Sequence, residues 1–282
     1  MIRELCLHTP LGKLTGLRAG REGAPRVLAL HGWLDNAASF APMLPHLQDF
    51  DVAALDLPGH GHSFHRPPGA SYGLPEYLDD LLNALDALGW ARCHVLGHSL
   101  GGAISSLLAC AAPERVERLA LIEALGPLSG APGSAAERLR QALRDRRAIA
   151  AKQLRVFPDI ATAMRARMHA NNLSEPVARL LVERGVAPVE GGFVWRTDPR
   201  LTTTTALRAD EGTVREWIAG IAAPTLVIAA AQAPPYFDAG LREARVGCLR
   251  DGRNLVLPGA HHLHMETPEP VAEAVREFLR SQ

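Results

Sequence analysis

Cysteine is scarce in this chain, with four residues among 282. Cys6, Cys93, Cys110 and Cys248 are widely scattered and form no C-x-x-C pair. That spacing excludes a disulfide framework and points to a reducing compartment. Two of the four sit in apolar runs, where a small buried thiol is the usual reading. Charge of one sign is missing too: 30 Lys and Arg stand against 30 Asp and Glu. No long-range field of one sign follows, so neither a nucleic acid nor another polyanion is expected as partner. The Arg-rich stretch from Arg138 to Arg147 carries interleaved acids and reads as a solvated helix face. No run approaches the ~18 apolar residues of a membrane span. The opening Met1-Ile2-Arg3-Glu4-Leu5 has no apolar leader core and no cleavage signal. Internal repeats and low-complexity tracts are absent. These absences lead to the expectation of a soluble, cytoplasmic protein.

What is present is an ordinary apolar fraction, 47%, and a length that suits one large α/β domain or a core with a smaller insertion. The segment around Pro10-Leu11-Gly12 reads as a hairpin. After it the chain repeats one phrase: a short apolar run, a Gly- or Asp-bearing turn, then a helical pattern. The runs are Val27–Leu30, Val52–Leu55, His94–Leu96, Leu119–Ile122, Thr225–Ala229 and Leu255–Leu257. Runs this short and continuous suit strands covered on both faces, as in a parallel sheet. The helical patterns include Leu74–Leu88, Leu100–Ala111 and Pro268–Leu279. Alternation of this kind predicts βαβ units with right-handed crossovers.

One region breaks the phrase. From about Pro127 to Glu211 no buried strand is predicted, and helix-favouring segments follow instead: Ser134–Val156, Ile160–Ala170 and Pro176–Arg184, then the short piece Gly192-Phe193-Val194-Trp195. The entry from Gly126 to Gly133 is rich in Pro and Gly, which suits a domain junction. The expected organisation is a core made of residues 1–126 and 212–282, with a helical cap inserted at 127–211.

The most specific motif is Gly97-His98-Ser99-Leu100-Gly101, a G-x-S-x-G directly after an apolar run and directly before a helical pattern. Ser99 must occupy the tip of a sharp turn so that its hydroxyl projects into open space. Gly97 and Gly101 flank it because a Cβ there would collide with the neighbouring turn. The helix that starts behind Ser99 aims backbone N–H groups at the same point.

Four blocks in order carry a resemblance: Leu30-His31-Gly32-Trp33, the stretch from Asp56 to Ser63, the elbow at Ser99, and Pro258-Gly259-Ala260-His261 through Glu266-Thr267-Pro268. With them the chain resembles the α/β-hydrolase superfamily over nearly all its length except the insertion. The stretch from His31 to Phe40 is similar to the serine hydrolase-like branch. The resemblance implies an α/β-hydrolase fold: a mostly parallel central sheet, helices on both faces and a helical cap. The superfamily hosts many chemistries, so the substrate is not implied.

Two oxyanion donors are implied, the backbone N–H of Leu100 and that of Trp33, the residue after His-Gly. The Trp33 side chain offers a flat apolar wall beside them. The base is expected in the loop after the last strand. In similar proteins the histidine stands five residues before a Glu, which selects His261 ahead of Glu266. His262 is the alternative if the loop register differs by one, and His264 is assigned a structural or pocket role. The run His60-Gly61-His62 with His65 reads as a solvated loop. Neither histidine group matches a recognised zinc pattern.

The acid departs from the common pattern. Most relatives carry an Asp after the strand equivalent to Thr225–Ala229, and here that turn has no carboxylate until Asp238. The strand Leu119–Ile122 ends in Glu123, an acid position similar to that of haloalkane dehalogenases and some lipases. Glu123 is therefore the expected third member, in the chain order Ser, Glu, His, and Asp238 remains the alternative. Asp56 reads as structural, and Asp251 stands too near the next strand.

A serine nucleophile favours acyl chemistry over the alkyl-ester route of family members with Asp at the elbow. The expected function is a serine hydrolase that cleaves a carboxylic ester, thioester or lactone of a small to medium apolar acyl substrate through an acyl-serine. The insertion is expected to form a lid, with more of Leu154, Phe157, Met164, Met168, Phe193 and Trp195 in the lid core than facing the pocket. No metal or organic cofactor is implied, and a monomer or homodimer is expected. Two alternatives stay open: a hydrolase-fold protein that binds a small molecule with little turnover, and a cofactor-free perhydrolase or C–C hydrolase.

Overall fold

The computed structural model describes residues 1–131, 133–149 and 154–281. The chain opens with an antiparallel hairpin, β1 (Arg3–Thr9) and β2 (Gly12–Gly20), turned at Pro10-Leu11. The strands β3 (Arg26–Leu30), β4 (Asp51–Leu55), β5 (Cys93–His98), β6 (Val116–Ile122), β9 (Thr225–Ala230) and β10 (Gly252–Leu257) complete an eight-stranded sheet. Its order is β1-β2-β4-β3-β5-β6-β9-β10. The pairings β1·β2 and β2·β4 are antiparallel and the others are parallel. All six runs read from the sequence are strands of this sheet.

The central strands are largely apolar because both faces are covered, and successive side chains alternate between two cores. Leu28 and Leu30 of β3, Val95 of β5, Leu119 and Leu121 of β6 and Val227 of β9 enter one core. That core is closed by α1 (Leu74–Ala87), α2 (Leu100–Ala111), α6 (Glu211–Ala219) and α7 (Ala239–Val246). Val27, Ala29, Leu96, Ala120, Ile122 and Ile228 enter the other. The helix α9 (Pro268–Arg280) closes it with Val271, Ala272, Val275, Phe278 and Leu279. That spacing keeps one helical stripe on the sheet. Each of the larger side chains taken fully out of water stabilises the fold by about 1.5–3 kcal/mol. The consequence for function is rigidity at the C-terminal strand ends, where β3, β5 and β6 deliver their loops side by side.

Between β6 and α6 lies the inserted segment, with α3 (Ala135–Ile149), α4 (Ile160–Asn171), α5 (Glu175–Gly185), β7 (Val186–Val189) and β8 (Gly192–Trp195). Its entry and exit run together, since the Gly130 N–H donates to the Ala209 carbonyl at 2.8 Å. Pro132 of the expected junction lies outside the described residues, as do residues 150–153 of the helix expected over Ser134–Val156. The described part of that helix ends at Ile149, and Leu154 to Val156 are not helical. The hairpin β7·β8 is a difference from expectation. Val186-Ala187-Pro188-Val189 is short and contains a proline, so it carries no strand signal; a two-stranded hairpin tolerates it because both strands are edges. Gly191 and Gly192, at φ 81° and 144°, make the turn.

Phe157, Met164, Val182 and Val186, with Phe193 and Trp195, form a small core of the inserted segment's own. Met168 joins Leu173, Val177, Ala178 and Leu181, and this second cluster includes Met265. Most of the apolar residues expected to divide between lid core and pocket are therefore core. No helix among the described residues is long and apolar enough to cross a membrane.

Candidate active site

The elbow between β5 and α2 is shaped by close backbone approach. Ser99 has φ 49° and ψ −112°, a conformation that side chains avoid. A Cβ on Gly97 would lie 2.6 Å from Ser105 Oγ and 2.7 Å from the Gly101 carbonyl oxygen. One on Gly101 would fall on the Leu30 carbonyl. The turn is held from both sides: the Ser99 N–H donates to the Ile122 carbonyl at 2.9 Å and the Gly101 N–H to the His31 carbonyl at 3.0 Å. Three neighbouring strand ends therefore fix the strained residue.

His261 lies in the loop between β10 and α8 (Leu263–Glu266). Its Nε2 is 3.1 Å from Ser99 Oγ and its Nδ1 is 3.1 Å from Glu123 Oε2. A carboxylate only accepts, so Nδ1 carries the proton and the Nε2 lone pair faces the serine hydroxyl. Glu123 is buried at the end of β6, with φ 57°. Its other oxygen, Oε1, accepts the Ala230 N–H from the end of β9 at 2.6 Å. The serine, the imidazole and the carboxylate named from the sequence thus form one hydrogen-bonded chain.

The alternatives lie elsewhere. Asp238 caps α7, accepting the Leu241 N–H at 2.9 Å. The His262 ring turns inward, with Nε2 3.3 Å from Asp35 Oδ2. His264 is fully buried, and neither of its nitrogens has a partner among the described residues.

The turn after β3 lies beside the elbow. Leu34 has φ 60°, in the left-handed region that most residues avoid. The Leu34 N–H donates to His60 Nε2 at 3.3 Å, and His60 Nδ1 is 3.2 Å from the Pro58 carbonyl. His60 is fully buried, which corrects the expectation of a solvated loop. Burial pushes its imidazole down to about 3, so at neutral pH it is an uncharged hydrogen-bond bridge. The buried carboxylate of Asp56 accepts the Ala37 N–H at 2.8 Å and the His62 N–H at 3.0 Å, and pairs with Arg184 of α5 at 2.8 Å. Trp33 is 52% exposed, and its indole N–H donates to the Leu201 carbonyl at 2.9 Å. Among the described residues, the backbone N–H groups of Trp33 and Leu100 have no backbone acceptor.

Residues 25–268 match the family model for the alpha/beta hydrolase fold. The chain belongs to this family. Serine hydrolase-like protein 2 of Homo sapiens is 33% identical, across 99% of this chain and 95% of the relative. A serine hydrolase-like protein of Danio rerio is 28% identical, across 99% and 89%. The crystal structure of a hypothetical protein from Pseudomonas aeruginosa PAO1 superposes with a TM-score of 0.93 and 38% identity, covering 100% of this chain and 99% of that one. These likenesses put this alpha/beta hydrolase in the serine hydrolase-like branch.

Behind the hydrogen-bonded chain lies a second, largely buried polar group whose assembly the sequence did not reveal. It consists of Asp35, His98, His262, His264 and Arg167. Burial alone would raise the Asp35 carboxyl, but His262 and Arg167 outweigh it and hold the group well below the carboxylate range. Burial and the neighbouring histidines push His98 well below the usual imidazole range. His98 and Asp35 stand inside quoted motifs, so proximity to Ser99 and Gly32 was the available signal. Arg167 comes from α4, and no local pattern links it to Asp35.

Proposed function

We propose that this alpha/beta hydrolase cleaves a carboxylic ester, or a related thioester or lactone, through an acyl-serine intermediate. The single observation that carries the reading is the Ser99–His261–Glu123 chain, with both contacts at 3.1 Å. His261 Nε2 takes the hydroxyl proton as Ser99 Oγ bonds to the substrate carbonyl carbon. The resulting oxyanion is received by the N–H groups of Trp33 and Leu100, each such donor contributing about 3 kcal/mol. As the tetrahedral centre collapses, the imidazolium returns its proton to the departing oxygen or sulfur. Water then attacks the acyl-serine by the same route and releases the acid. Glu123 keeps the imidazole in the required tautomer and stabilises the imidazolium. Each step uses this chain's groups and water.

The alternative of a binding protein drew its weight from the missing carboxylate after β9. Glu123, one strand over, fills that role in the present reading. Residues 127–211 act as the lid over a core of 1–126 and 212–282, a division supported by the Gly130–Ala209 closure. The lid's α4–α5 half is tied to the oxyanion turn by Arg167–Asp35 and the Asn36 amide on the Leu181 carbonyl at 2.8 Å, and to the neighbouring end of β4 by Arg184–Asp56. Half-exposed aromatic rings support an apolar acyl group: Trp33 on the oxyanion side, and Tyr236, whose ring centroid is 6.1 Å from that of His261. A p-nitrophenyl ester series of increasing acyl length tests the reading. Turnover by the wild type at short to medium lengths, absent in Ser99→Ala, is the expected result. Absence of cleavage at every length would overturn the ester assignment.

A further inference from the structure

His98 stands in the elbow, one residue before Ser99, and is fully buried. Its Nε2 lies 2.9 Å from the carbonyl oxygen of His261. A carbonyl only accepts, so His98 donates through Nε2. The flanking carbonyls in the His261 loop have backbone donors: Ala260 receives the Leu263 N–H, and His262 receives those of Met265 and Glu266. Among the described residues no backbone N–H reaches the His261 carbonyl, so the His98 side chain serves it instead. On its opposite edge, His98 Nδ1 is 3.7 Å from Asp35 Oδ2, and Asp35 closes a turn onto the Gly32 carbonyl. The ring has little room to move. A Cβ on Gly32 would be 2.8 Å from Nδ1, and the His264 ring centroid is 4.1 Å away.

We propose that His98 is a positioning residue for the acyl transfer, clamping the main chain of His261 so that its imidazole stays in line with Ser99 Oγ. The inference rests on the reading of Ser99 and His261 as nucleophile and base. The His261 side chain is 26% exposed, so packing alone does not fix it. A shift of about 1 Å between reacting groups costs on the order of 100-fold in rate. The 2.9 Å bond joins the elbow to the His261 loop, 163 residues away in sequence.

The test compares His98→Gln, which keeps a donor at the reach of Nε2, with His98→Met, which fills similar space without a donor, and His98→Asn, whose amide is too short. Each protein is titrated with a fluorophosphonate probe, and p-nitrophenyl butyrate kinetics are expressed per titrated site, so that misfolded chains do not count. In the Met and Asn variants kcat is expected to fall about 10- to 100-fold with KM within about threefold, while Gln recovers to within about fivefold of wild type. Equal per-site kcat in all three variants, or a Gln variant as impaired as Met, would overturn the positioning role. A wild type that leaves Ser99 unlabelled would instead overturn the underlying reading of the site.

Discussion

Glu123 and Ala230 meet across neighbouring strands, the carboxylate Oε1 accepting the Ala230 N–H at 2.6 Å while Oε2 faces His261. The strand with no carboxylate at its own end thus helps to hold the carboxylate supplied by its neighbour. Glu123→Gln keeps the size of the side chain but removes the negative charge and permits the wrong imidazole tautomer. On the proposed mechanism kcat falls by about three to four orders of magnitude. Asp238→Asn, on an exposed helix cap, leaves kcat within about twofold, and steady-state kinetics on one ester compare the two. A larger fall for the Asp238 variant would contradict the assignment.

Ser99, at φ 49° and ψ −112°, carries a backbone strain of about 1–3 kcal/mol, which the proposed nucleophile role explains. Glycine adopts φ 49° without that cost, whereas alanine does not. Both substitutions remove the hydroxyl. Ser99→Gly is therefore expected to be more stable than Ser99→Ala by about 1 kcal/mol, with both inactive. Denaturant unfolding of the pair measures the difference. Equal midpoints would mean that the elbow stores no strain.

The Asp56–Arg184 pair ties the inserted segment to the end of β4, where the Asp56 carboxylate also holds the Ala37 N–H of the segment after β3. Burial opposes the Asp56 charge, but Arg184 and the N–H groups of Ala37 and His62 hold the carboxyl down at about 2. A carboxyl depressed in the folded chain stabilises above its unfolded pKa, near 3.9, and that contribution is lost as pH falls toward 2. The contribution at neutral pH is about 2–3 kcal/mol. Asp56→Asn is thus expected to be markedly destabilised at pH 7, since it removes the buried counter-charge of Arg184 and leaves only the exposed Glu4 carboxylate at 2.8 Å. Unfolding curves for wild type and variant should converge as pH falls from 4 toward 2. A gap that stays constant over that window would refute the linkage.

Burial pushes the His264 imidazole down to about 3, with His262 adding to the shift. The unfolded chain then binds a proton near pH 6.5 that the folded chain refuses, so stability falls as pH drops from 6.5 toward 3. His264→Leu removes this term together with two buried nitrogens that lack partners among the described residues. The variant is expected to show a shallower loss of stability between pH 6.5 and 4, measured by urea unfolding. An unchanged slope would mean that His264 is solvated in the native state.

Legibility followed locality. The elbow was readable because Gly97, Ser99 and Gly101 answer a steric demand within five residues, and Glu123 because it ends an apolar run. The inner sheet strands were readable because burial on both faces leaves an unbroken apolar signature. His60 was misread because its neighbours are Gly, His and Ser, a loop composition, while its burial comes from packing against His31, with ring centroids 4.9 Å apart. The Asp35–Arg167 contact joins residues 132 positions apart, and nothing near either one announces it. The β7·β8 hairpin was hidden by Pro188 and by its four-residue strands.

The most direct measurement is a rapid-quench reaction with p-nitrophenyl acetate followed by peptide mass analysis. The mechanism predicts a burst of p-nitrophenol approaching one per chain and an acetyl group on the peptide that contains Ser99, both lost in Ser99→Ala. Steady hydrolysis with no burst and no acyl adduct, or an adduct on a different side chain, would contradict it.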